Sequence, residues 1–138
     1  MSLWQWVVGL VLIVHGVGQL LGVVALTRLG STTWNARSWL LTDAIGEAPS
    51  KAVSAVLWCA AFTLFVVAGL GVLGVVALGM GWRPFAVAGA VVSLVALALF
   101  WRAFPVLVPN KVGSIAVNLT ALVGILIADW PTDAMLTT

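Results

Sequence analysis

The chain has 138 residues, of which 63% are hydrophobic and 7% are charged, and its formal net charge is +2. A water-soluble domain usually carries about 25% charged residues, so this composition excludes an ordinary soluble domain and indicates a chain solvated by lipid. The small net charge gives no reason to expect a nucleic-acid partner. We therefore expect one domain, residues 1–138, whose main partner is the lipid bilayer.

Four apolar segments are long enough to cross a bilayer, since one helical crossing takes about 20 apolar residues. Backbone polar groups in hydrocarbon must be satisfied within the protein, so each segment is predicted to be a helix. The sequence thus predicts an all-α fold, a transmembrane four-helix bundle. Its spans are expected at about residues 3–26, 52–80, 85–104 and 113–130.

The first segment follows an N-terminus without basic residues, and at about 24 residues it is too long for a signal-peptide core. We therefore expect it to be retained as the first crossing. Tryptophan rings prefer the headgroup level of a bilayer, and several of them lie near the predicted span boundaries. These are Trp4, Trp6, Trp82, Trp101 and Trp130.

The longest polar stretch is the first loop, residues 27–51. Within it, the segment WNARSWLLTDAIGEAP places apolar residues such as Trp39 and Leu40 toward one side, and Arg37, Asp43 and Glu47 can face water. This pattern predicts a short interfacial helix, with an ordinary capped loop as the alternative.

Basic residues predict the orientation of the bundle. The first and third loops hold five of the six, and the second loop holds only Arg83. Cytoplasmic loops carry the excess of basic residues, so we expect these two loops in the cytoplasm and both termini outside. The five residues are Arg28, Arg37, Lys51, Arg102 and Lys111.

The only histidine of the chain lies inside the first span, within VLIVHGVGQLLG. His15, Gly18, Gln19 and Gly22 follow the i, i+3, i+4, i+7 spacing of one helix face. Gly18 and Gly22 form a G-x-x-x-G pair that permits close helix packing. Because an ionisable group facing lipid is costly, this face is predicted to point into the bundle.

A comparison of depth along the spans groups five polar residues as candidates for ligand binding or proton-linked chemistry. Gln19, Cys59 and Asn118 lie at similar distances from the inner ends of their spans, and His15 and Thr63 match one turn deeper. The structural alternative is that Gln19 and Asn118 fasten helices, that Thr63 bonds to its own backbone, and that Cys59 is a small packing residue.

The third span offers a small-residue face for helix packing. Gly89 and Ser93 lie on it, and Ser93 is predicted to lie too near the outer side to join the polar cluster.

Several kinds of site are excluded by what the sequence lacks. One cysteine allows neither an intrachain disulfide nor a paired-cysteine redox centre. One histidine cannot provide bis-histidine haem ligation, and the ligands of a zinc site are missing. We therefore assign no catalytic and no metal-binding residues, and the sequence identifies no cofactor.

The stretch GLVLIVHGVGQLLG, residues 9–22, resembles the first helix of small bacterial four-span proteins of the DoxX-like kind. The four-span layout and the long first loop agree with this resemblance. It implies a four-helix bundle in the plasma membrane and, for some members, association with oxidoreductase systems. It implies no catalytic residues.

Three functions follow as hypotheses. The leading one is a non-enzymatic membrane protein, either an accessory subunit or a binder of an apolar ligand such as a quinone or lipid. The second is a small oligomeric proton-linked transporter that uses His15. The third is a component of a membrane oxidoreductase. A membrane-protein partner and a homo-oligomer are both left open.

Overall fold

The computed structural model describes residues 1–27, 35–78, 81–104 and 110–137. Across these ranges the secondary structure is helical and contains no strand, which confirms the predicted all-α class. A 3-10 turn, Trp101–Ala103, follows the fourth α-helix. The α-helices are α1 (Leu3–Thr27), α2 (Leu41–Ile45), α3 (Glu47–Val72), α4 (Arg83–Leu99), α5 (Val112–Leu126) and α6 (Asp133–Thr137).

Helices α1 and α3 have 25 and 26 residues and are long and apolar enough to cross a membrane. At 1.5 Å per residue each is nearly 40 Å long, which exceeds the roughly 30 Å hydrocarbon core of a bilayer. The apolar helices α4 and α5 are shorter, with 17 and 15 residues. The first helix matches its predicted span to within one residue.

The second long helix is displaced toward the N-terminus relative to the prediction of residues 52–80. It begins at Glu47 because Pro49 falls in the first turn, where backbone N–H groups have no intrahelical partner. It ends at Val72 in a Schellman motif, in which Val75 N donates to Leu70 O at 3.0 Å. Gly74 adopts the left-handed conformation that this motif requires, with φ of 71°. The predicted end of the span at residue 80 lies outside the described residues.

The helices of the third and fourth predicted spans, α4 and α5, end earlier than predicted. Helix α4 stops at Leu99, and Phe100 leaves the helical conformation before the 3-10 turn. Helix α5 stops at Leu126, after which Asp129 adopts a positive φ of 48° and Trp130 N donates back to Gly124 O at 2.8 Å.

The four longer helices alternate in direction along the bundle. Gln5 Nε2 donates to Val72 O at 2.8 Å, and Arg83 pairs with Asp129, so both termini and the α3–α4 connection share one end. We call this the terminal end. We call the other end of the bundle, which carries α2 and the 3-10 turn, the opposite end. There Trp39 Nε1 donates to Ala98 O at 2.7 Å.

Helix α2 occupies part of the stretch in which the sequence predicts a short interfacial helix, and it is only five residues long. Thr42 faces inward and shares a 3.1 Å hydrogen bond with Ser50 of α3. Leu40 and Ile45 are exposed. Arg28, one of the basic residues assigned to this loop, lies outside the described residues.

Two apolar clusters form the core. One lies toward the terminal end and includes Leu12, Phe65 and Ala90. The other lies toward the opposite end and includes Trp58 and Leu97. Helix α1 packs closely along α3, and α3 packs along α4, whereas α1 and α5 make few direct contacts. A groove therefore runs between α1 and α5.

Candidate functional site

Four side chains from three helices form a closed cycle of polar contacts in the middle of the bundle. His15 and Gln19 come from α1, Ser93 from α4 and Asn118 from α5, and we call these four residues the polar ring. His15 Nε2 lies 2.9 Å from Asn118 Oδ1 and 3.1 Å from Gln19 Nε2. Asn118 Nδ2 donates to Ser93 Oγ at 2.8 Å, and Ser93 Oγ donates to Gln19 Oε1 at 3.0 Å.

The polar ring is shielded from the surroundings of the bundle on most sides. Ser93 and Asn118 are fully buried, and Gln19 is 3% exposed. His15 is partly exposed, and its imidazole meets the buried ring of Phe65 edge to face, with centroids 4.7 Å apart. The ring lies between the two apolar clusters, so it fastens α1, α4 and α5 where they would otherwise share only apolar contacts.

The hydrogen bonds fix which atom of His15 carries the proton in the neutral imidazole. Asn118 uses its amide nitrogen on Ser93, so its Oδ1 is an acceptor, and His15 Nε2 is the donor within reach among the described residues. A buried acceptor left without a donor costs about 1–3 kcal/mol. Gln19 Nε2, which cannot donate to a protonated Nε2, has an acceptor instead in the backbone oxygen of His15, at 3.4 Å. The network therefore assigns the proton to Nε2 and leaves Nδ1 with a lone pair.

The groove between α1 and α5 contains two clefts that meet at Val117. Toward the terminal end is a cleft of about 250 Å³, lined almost entirely by apolar side chains. We call it the apolar cleft, and Val11, Ala116, Ala121 and Trp130 are among its walls.

The second cleft, of about 380 Å³, lies toward the opposite end and is called the His15 cleft. Its polar lining consists of His15, Gln19, Asn110 and Ser114, and none of its described lining residues carries a formal charge with His15 neutral. The groove is thus apolar along one half and provides uncharged hydrogen-bonding groups along the other.

The structure brings together three of the five residues that the sequence groups by depth. His15, Gln19 and Asn118 meet in the polar ring, whereas Cys59 and Thr63 are exposed on the outer face of α3. Thr63 Oγ1 donates to Cys59 O at 2.9 Å, the bond to its own helix that the structural alternative describes.

Ser93, which the sequence assigns to helix packing, is a member of the polar ring. The glycines assigned to packing differ from one another. Gly22 lies against the indole of Trp58, and Gly89 lies against Phe65. Gly18 has no neighbour close to the position of a side chain, and it lines the His15 cleft.

Two polar residues of the groove, Asn110 and Ser114, are absent from the sequence-based candidates. Together with Asn118 they recur every four residues, which places them along one side of a helix. His15 and Gln19 have the same spacing on α1. This shared spacing is the signal in the sequence that could have identified a polar face on α5 directed toward α1.

Within the described residues, no group of three histidine, cysteine, aspartate or glutamate side chains is placed to hold a metal ion. No protein-family model, curated protein or solved structure matches the chain. The arrangement of the groove and the polar ring is therefore what bears on function.

Proposed function

We propose that this protein is a four-helix membrane protein, of the DoxX-like type its first helix resembles, that binds an amphiphilic ligand in the groove between α1 and α5. In this proposal it acts as a binding or accessory subunit and not as a catalyst. The observation that carries the proposal is the groove itself, with an apolar cleft that adjoins, at Val117, a cleft lined by His15 and other uncharged polar groups.

The distribution of apolar side chains supports a membrane environment. Only a third of the most apolar window of α1, and of α3, is buried inside the bundle. Large apolar residues such as Val14, Val56 and Val91 are therefore exposed, whereas the buried interior holds Gln19 and Asn118. Water disfavours an exposed apolar surface of this extent, and lipid does not.

The positions of the two clefts along the groove support an amphiphilic ligand. The His15 cleft begins at the first residues of α5, near the opposite end, and the apolar cleft extends from mid-depth toward the terminal end. A headgroup held at His15 and Ser114 would direct its hydrocarbon chain along Val11 and Ala121.

Filling the apolar cleft tests the proposal. Ala116 lines this cleft on α5, so Ala116→Phe should occupy the space of a ligand chain. The matched control is Val91→Phe, at an exposed position of α4 outside the groove. Native mass spectrometry of protein released from a mild detergent would measure the lipid that each variant retains.

We expect retained lipid on the wild-type protein and on Val91→Phe, and its loss from Ala116→Phe. Equal retention by all three proteins, or retention by none, would contradict ligand binding in this groove.

A further inference from the structure

The ligand-facing atom of His15 can be identified from the polar ring. Nε2 donates to Asn118 Oδ1 inside the polar ring. Nδ1 forms no hydrogen bond with any described residue, yet it is not among the buried polar atoms that lack a partner. It therefore keeps accessible surface, on a side chain that lines the His15 cleft.

The protonation state of the His15 imidazole determines what Nδ1 can bind. With the proton on Nε2, Nδ1 offers only a lone pair, so its partner must donate a hydrogen bond. A carbonyl oxygen placed against Nδ1 would bring two lone pairs together. An oxidised quinone, which offers only carbonyl acceptors, does not complement this atom, and a hydroxyl group does.

The lining of the cleft restricts the charge of the headgroup. Besides His15, its polar members are amide and hydroxyl side chains, and no described lining residue provides a compensating charge. A charged headgroup would lose its hydration here without gaining an ion pair. An uncharged hydroxyl headgroup keeps its hydrogen bonding through Nδ1, Asn110 and Ser114.

We propose that the groove selects an uncharged lipid with a free hydroxyl headgroup, which donates a hydrogen bond to Nδ1 of His15 while its chain lies in the apolar cleft. This inference rests on the proposed function and narrows it from amphiphiles in general to hydroxyl lipids. Asn118 acts as a positioning residue in it, since its Oδ1 accepts from Nε2 and so holds the imidazole in the tautomer that exposes an acceptor.

Binding of two matched probes tests the selectivity. Oleyl alcohol and oleyl methyl ether share one chain, and only the alcohol donates a hydrogen bond. Titrated into delipidated full-length protein in detergent, the alcohol should bind about tenfold more tightly, as one neutral hydrogen bond predicts. His15→Phe should abolish the preference, and Cys59→Ala, on the exposed face of α3, should retain it.

¹⁵N NMR of the wild-type protein tests the same inference without a substitution that disturbs the polar ring. The chain has a single histidine, so ¹⁵N-histidine labelling gives two side-chain resonances. At alkaline pH we expect Nε2 to be protonated and Nδ1 not, and we expect oleyl alcohol to move the Nδ1 resonance while Nε2 keeps its position. The ether should leave Nδ1 unchanged.

The outcomes separate the two proposals. Equal affinity for the two probes, or an Nδ1 that carries the proton, would overturn the hydroxyl selectivity and leave ligand binding intact. Binding of neither probe, together with no retained lipid, would overturn the proposed function itself.

Discussion

At the scale of single residues, glycines determine how closely α1 approaches α3. A Cβ atom at Gly9 would lie 2.6 Å from Leu73, and one at Gly69 would lie 2.7 Å from the backbone oxygen of Gly9. At Gly22 it would lie 2.4 Å from the indole of Trp58, a fully buried side chain. These contacts leave no volume for a methyl group unless the two helices separate.

Gly22→Ala should therefore destabilise the protein by about 1–3 kcal/mol, the usual cost of overpacking a tight core. The matched control is Gly18→Ala on the same helix, where a Cβ atom meets nothing within 4 Å. It should leave stability unchanged or raise it by up to about 1 kcal/mol through helix propensity. Unfolding by SDS, followed by circular dichroism, measures both, and equal stabilities would contradict the packing role of Gly22.

The candidate site is only partly predictable at this scale. The spacing of His15 and Gln19 on one helix face is a property of the sequence, and so is the presence of Asn118 in an apolar span. The membership of Ser93 is not predicted because its depth depends on a span expected to end at residue 104, whereas α4 ends at Leu99. With the shorter helix, Ser93 lies near mid-depth, level with His15 at the middle of α1.

Cys59 and Thr63 show a second limit of prediction from the sequence. Their depth along α3 matches that of the other polar residues, but depth alone leaves the rotation of a helix undetermined. The face of α3 that packs inward is set by Trp58, Phe65 and the close approach of Gly69 to α1, which places Cys59 and Thr63 outside. Only tertiary packing fixes that choice.

At the scale of elements, the existence of the four longer helices followed from the sequence, whereas the C-terminal ends of α4 and α5 did not. The apolar composition of residues 113–130 continues past Leu126, so hydrophobicity gives no reason to stop there. The helix ends because Asp129 and Trp130 fold back, and because Arg83 binds the segment that follows. The contact of Arg83 with this segment joins distant parts of the chain and leaves no local signature.

Arg83 ties the C-terminal segment to the bundle. It pairs with Asp129 and Asp133, both well exposed, and its Nη2 donates to Pro131 O at 2.8 Å. Helix α6 continues from this segment, with Leu136 in the core and Met135 O accepting from Ser2 Oγ at 2.8 Å. The two exposed ion pairs contribute little, so the hydrogen bond to the backbone carbonyl is the main interaction by which Arg83 holds the segment.

Arg83→Gln should therefore loosen the C-terminal segment and leave the bundle folded. We expect amide hydrogen exchange over residues 132–136 to become about tenfold faster, as the loss of one charge-assisted hydrogen bond predicts. Arg102→Gln, at an exposed position in the 3-10 turn of the opposite end, is the control and should not change exchange in this segment. Unchanged exchange in both variants would show that Arg83 does not hold the segment.

At the scale of the whole molecule, the polar and apolar groups are arranged oppositely to those of a water-soluble domain. The interior holds a closed ring of amide, hydroxyl and imidazole groups, and the outer surface carries valine and leucine side chains. Asn118 and Ser93 of this ring are hydrogen-bonded without water, which suits a hydrocarbon environment. Helices α4 and α5, with 17 and 15 residues, are shorter than the roughly 30 Å hydrocarbon core of a bilayer.

Orientation is a property of the whole molecule that the distribution of charge predicts. The opposite end carries Arg37, Lys51 and Arg102, whereas Arg83 is the basic residue of the terminal end within the described part of the chain. Basic residues favour the cytoplasmic side, so the terminal end should face outward. Single cysteines introduced at each end of the bundle, in a Cys59→Ser background, report which side of the membrane that end faces.

Asp43→Cys lies at the opposite end, where its side chain is 81% exposed, and Thr132→Cys lies at an exposed position of the terminal end. A membrane-impermeant maleimide added to intact bacterial cells should label the cysteine at position 132 and leave the one at position 43 unlabelled until the membrane is permeabilised. The reversed pattern would invert the orientation and place the mouth of the His15 cleft in the outer leaflet. Labelling of both positions in intact cells would contradict a bundle that crosses the membrane, because the two ends would then share one aqueous side.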